Sequence, residues 1–113
     1  MDDSILTSIK KLLGITEEYT HFDKDIILYI NSAFSTLTQL GVGPAEGFSI
    51  KDEASTWLDF LVNKETTRAF AKAYVYLKVK LIFDPPLTSS VLESINRQIT
   101  ELEWRMNVND DII

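Results

Sequence analysis

Cysteine is absent from the 113 residues, histidine occurs once, and glycine and proline number four and three. Without cysteine there is no disulfide, no thiolate metal ligand and no Cys nucleophile, so folding in a reducing cytoplasm is expected. The lone histidine stands in Glu18-x-x-His21, a step that a di-iron bundle takes from each of two helices along with further glutamates. One histidine cannot supply the second step, and His21 falls in the segment before a helix cap, so no metal or other cofactor is expected. Gly-rich phosphate loops and Gly-x-Ser-x-Gly are also missing. The acid pairs Glu17/Glu18, Asp52/Glu53 and Asp110/Asp111 join sequence neighbours that do not face one another on a helix. They read as caps and solvated surface, and catalytic residues are not expected. Net charge is −6, against the clustered Lys and Arg that general nucleic-acid binding needs. The N-terminus lacks the basic-then-apolar layout of a signal peptide, and the most apolar run, Ala69 to Phe83, carries Lys72, Lys78 and Lys80. A soluble protein with no membrane partner is expected.

What is present is a globular composition, 45% hydrophobic and 11% aromatic. A single domain of this length buries roughly two-thirds of the surface its unfolded chain exposes. The apolar residues recur at helical spacing. A first helix is predicted over Asp3–Leu13 on Ile5, Leu6, Ile9, Leu12 and Leu13, with Lys10 and Lys11 in its last turn and Gly14 as its stop. A second starts at Asp23 as N-cap, with Phe22 as a staple onto Ile27, and runs through Ile26, Ile30, Ala33, Phe34, Leu37 and Leu40 to Gly41. A third spans about Lys64 to Phe83 and is stopped by Asp84-Pro85-Pro86, since proline removes a donor and pushes its predecessor out of the α region. One of its stripes is Phe70, Ala73, Tyr74, Leu77 and Leu81, and a second is Ala71, Val75, Val79 and Ile82. Two stripes place it at the centre of the fold or at a subunit seam. A fourth is predicted to open on a capping box, Ser90 with Glu93, and to carry the seam Leu92, Ile95, Ile99, Leu102 and Met106.

The expected fold is therefore all-α, a small bundle of four main helices with a long irregular loop between the second and third. In that loop Phe48-Ser49-Ile50 alternates and Thr56-Trp57-Leu58 can answer it as a short β-hairpin. The domain is expected to span 1–106, with 107–113 as a C-terminal tail.

With no catalytic signature, the candidate functional residues are contacts. Phe48, Trp57 and Phe60 lie in the long loop, where function often resides. Arg68 and Lys72, with Lys64, make a four-residue-spaced basic strip inside a segment, 64–80, that holds five bases against one acid between acidic ends. Such a strip is either a phosphate track, an ordinary solvated face, or the basic half of a head-to-tail contact. Trp104 projects opposite Leu102 among Arg97, Thr100 and Glu101, with Arg105 beside it. A large aromatic there either meets a partner or is covered by the N-terminal helix.

Several stretches, taken together, resemble the head–tail connector (adaptor) proteins of tailed phages. They are Leu40-Gly41-Val42-Gly43-Pro44, Thr56-Trp57-Leu58-Asp59-Phe60-Leu61, Leu77-Lys78-Val79-Lys80-Leu81-Ile82-Phe83-Asp84-Pro85-Pro86, the Ser90-to-Glu93 opening, and Glu101-Leu102-Glu103-Trp104-Arg105-Met106-Asn107-Val108. The likeness runs in order from about residue 5 to 108 and rests on scaffold residues. It implies a structural virion protein at the head–tail junction: a homo-oligomeric ring of about twelve copies beneath the portal protein, extending the DNA channel and receiving a tail-completion (stopper) protein. DNA would pass without sequence-specific binding, which the negative net charge suits. Two other classes fit the residues, a small DNA-binding helical module of a phage, relying on the basic strip, and a generic helical protein-binding module, relying on the fourth helix.

Overall fold

The computed structural model describes residues 4–112, with side chains through Val108. Five helices follow one another: α1 Ile5–Leu12, α2 Asp23–Gln39, α3 Trp57–Phe60, α4 Glu65–Phe83 and α5 Ser89–Ile112. Among the described residues there is no sheet, only one isolated bridge between Ser4 and Thr56. The architecture is the expected all-α bundle of four main helices.

The hairpin is not formed. Thr56 accepts from the Asp59 backbone N–H at 3.2 Å while Asp59 Oδ2 accepts from the Thr56 N–H at 2.9 Å. This reciprocal box starts a helical turn where the alternating pattern asked for a strand. The expected box at Ser90 and Glu93 is likewise replaced: α5 begins at Ser89, and Thr88 Oγ1 accepts from Val91 N–H at 3.3 Å. Ser4 caps α1 through Thr7 N–H at 3.2 Å; the expected start at Asp3 lies outside the described residues. In α2 the cap position belongs to Phe22, which makes no side-chain cap bond, and Asp23 is the first helical residue. Its carboxylate is turned to Lys10 Nζ, 2.8 Å away. The last helix runs on through Asn107 and Val108 to Ile112, and the side chains of the terminal acidic and isoleucine residues lie outside the described ones.

Helix α4 is the centre of the bundle and touches all four other helices. Its two apolar stripes explain why, with amendments at Ala73 and at Ile82, which is exposed at the end of the helix. Ala71, Tyr74, Val75, Leu77 and Val79 are buried, Phe70 and Leu81 are half-buried against them, and Ala73, expected in the core, is exposed. Helix α2 brings Ile26, Ile30, Ala33, Phe34 and Leu37, and α5 brings Ile95, Ile99 and Met106, all buried. Each such side chain is worth about 1.5–3 kcal/mol on transfer from water. Phe22, at the start of α2, packs edge-on against Phe83, the last residue of α4, at 5.1 Å between ring centroids. The two helices therefore run antiparallel.

The long loop is tied down at both ends. Asn31 of α2 donates to the Ile50 carbonyl at 3.0 Å and accepts from the Ile50 N–H at 2.8 Å, standing in for a neighbouring strand. Ile5 N–H donates to Ser55 O at 2.9 Å, and Trp57 Nε1 donates to Ser8 Oγ at 2.9 Å. At Gly43 the backbone has φ +91°, and an added Cβ would stand 2.5 Å from Phe60 Cε1. Only glycine satisfies both the dihedral and the space.

Candidate interaction surfaces

The seven residues singled out by sequence divide sharply once folded. Phe48, Trp57 and Phe60 are gathered by the loop onto Phe34, at centroid distances of 5.0, 6.0 and 4.8 Å. Trp57 and Phe60 are buried and Phe48 is half-buried. These rings pack the subunit's own core, and the reason is the pinning by Asn31 and Gly43, which draws the loop inward. Arg68 is half-buried and donates from Nη1 to Leu61 O at 2.8 Å. Lys72 and Lys64 are half-buried as well, and neither is without a partner. Arg68, the centre of the basic strip, is thus tied to the end of α3, while Lys72 lines a cleft beside α1.

Trp104 and Arg105 are the two that point out. Trp104 is 63% exposed. At about 100° per residue it lies opposite the Ile95–Ile99–Met106 stripe that α5 lays on α4, so the indole faces away from the bundle. Arg105 holds Glu101 through Nε and a terminal nitrogen at 2.8 and 2.7 Å, an exposed pair one turn apart that adds little stability. Asn96, Arg97, Thr100 and Glu101 form with Trp104 a shallow groove on this flank.

Other features were not legible as sites. The corner between α4 and α5 exposes Ile82, Leu87, Val91 and Leu92; Leu92, expected in the seam, lies in the first turn of α5 and is left uncovered. Lys10 is buried beside Asp23 and also donates to the Glu17 carbonyl at 3.1 Å; its place four residues after Leu6 on the apolar side of α1 was the available signal. Tyr74 donates its hydroxyl to Glu103 Oε2 at 2.8 Å, linking α4 to α5. Burial, then the hydrogen bond to Glu103 and its negative charge, push that hydroxyl well above the ordinary tyrosine range.

On the opposite side, α1 and α4 enclose a cleft of about 170 Å³ lined by Ser4, Thr7, Ser8, Lys11, Leu12 and Lys72. A neighbouring one of about 380 Å³ follows the outer face of α1 to Glu17. His21 is exposed, edge-on to Phe22 at 4.7 Å, and no three His, Asp or Glu among the described residues are grouped to hold a metal ion. No helix among them is long and apolar enough to cross a membrane.

A family model described as "Phage connector protein" matches residues 5–112. The chain belongs to the phage connector family. No curated protein and no solved structure matches it. Membership gives the connector a head–tail joining role in the virion, a structural one, in contact with other virion proteins. A connector works through surfaces, and among the described residues three that stand open are the Trp104 flank, the α4–α5 corner and the α1 clefts.

Proposed function

We propose that this connector forms a closed homo-oligomeric ring, about twelve copies, beneath the portal protein at the capsid vertex, extends the DNA channel, and receives a tail-completion (stopper) protein. The observation that carries this reading is the match to the connector family over residues 5–112. The exposed apolar groups support it, since a monomer of this size gains nothing by leaving Leu87 fully exposed, with Ile82 and Val91 close by in sequence. Net charge of −6 lets a duplex pass without adhering. The DNA-binding alternative loses its footing because Arg68, the centre of the basic strip, is committed to Leu61 O.

Rings of this kind assemble weakly alone and firmly on a symmetric template that presents many copies at once. Light scattering coupled to size exclusion, with purified portal added, tests the reading. Association into a ring-sized species at high concentration or on portal is expected. A chain that stays monomeric and ignores portal at high concentration rejects it.

A further inference from the structure

Resting on the ring reading, we propose which two faces meet: the indole of Trp104 in one copy seats in the α1–α4 cleft of the next. The placement of these faces around α4 carries the argument. Tyr74 binds α5 through Glu103, and Lys72 lines the α1 cleft. Two residues apart on one helix, they project about 200° from each other. Helices α1 and α5 therefore flank α4 on opposite sides, and Trp104, turned away from α4, looks outward from one flank while the cleft opens on the other. Unlike faces on opposite sides are what a head-to-tail contact needs, and repetition through a rotation closes it into a ring.

The two faces also match in shape and chemistry. Trp104, 63% exposed, projects beside the shallow groove that it forms with Asn96, Arg97, Thr100 and Glu101. The cleft is a notch with an apolar wall at Leu12, a cation at its rim in Lys11 and hydroxyls at Ser4 and Thr7. An indole face accepts an ammonium as a cation–π partner, and its N–H finds an acceptor among hydroxyls.

The absence of cysteine makes the test clean. Thr100→Cys and Leu12→Cys both alter exposed side chains; the two variants, carrying different mass tags, are mixed under ring-forming conditions with a short bis-maleimide. Crosslinks between the two variants, far exceeding those within either alone, are expected. In parallel, Trp104→Ala and Lys11→Glu are each expected to lower the ring fraction by roughly tenfold or more, as loss of a buried interface anchor does, with thermal unfolding of the subunit unchanged. If wild-type rings form but the mixture crosslinks no better than either variant alone, or Trp104→Ala rings form as well as wild type, the pairing is wrong and the ring reading stands. If wild type forms no ring even on portal, both fall.

Discussion

Gly43 and Tyr74 show how much single positions decide. Gly43 holds φ +91° with no room for a Cβ beside Phe60, so Gly43→Ala is expected to cost about 2–4 kcal/mol in chemical denaturation through backbone strain and overpacking together. Phe60→Leu in the same chain removes the clash and leaves the strain, so the double variant should lose less than the sum of the singles. Tyr74 carries a pH dependence whose sign follows from its raised pKa. The folded state holds that proton more tightly than the unfolded chain. The stability it contributes is complete below the unfolded tyrosine value of about 10 and drains away as pH climbs beyond it. In an alkaline absorbance titration Tyr74 should ionise only as the chain unfolds; Tyr74→Phe should abolish that last step. The capping glycines were legible in sequence, since a glycine ends a helix wherever periodicity stops. The contact between Gly43 and Phe60 was not, because it joins residues brought together only by the folded loop.

Helices are the scale at which the chain reads best, and their exceptions have causes. Periodicities of three and four gave α1, α2, α4 and α5 because an apolar stripe must find cover wherever it lies. The stretch Thr56-Trp57-Leu58 misled because it could answer the alternating Phe48-Ser49-Ile50 as the second strand of a hairpin, while the Thr56–Asp59 capping box suits a helix and wins locally through two hydrogen bonds. Asn31 lies at the edge of the apolar stripe of α2, and its partner Ile50, 19 residues on, is a tertiary choice. Among the described residues helix α5 has α4 as its one substantial neighbour, and it is held there by Ile95, Ile99, Leu102, Met106 and the Tyr74–Glu103 bond. Native-state hydrogen exchange should therefore show α5 opening at lower free energy than α4, whose amides exchange only on global unfolding. Met106→Ala should widen that gap, and equal protection of the two helices would contradict it.

The whole subunit is a set of helices around α4 with its unlike flanks left open and an aliphatic corner at one end. That corner yields a prediction separate from the proposed ring contact: Leu87→Lys, at a fully exposed position, should leave unfolding within about 0.5 kcal/mol of wild type while lowering retention by immobilised portal, the partner proposed above. Unchanged retention would remove the corner from the coaxial contact. At this scale the sequence alone determined the class of molecule. Its missing cysteines excluded thiol chemistry, its acidic balance made a phosphate track costly, and its periodicities set an all-α bundle, because composition and period are properties of the chain before it folds. Only the tertiary structure decided which aromatics are core and which are surface. Trp57 and Trp104 are the same residue type in similarly polar surroundings along the chain, yet one is drawn inward by a loop pinned to Asn31 and the other is turned outward by a helix with one substantial neighbour. Burial depends on what the rest of the chain brings alongside, and no local pattern carries that information.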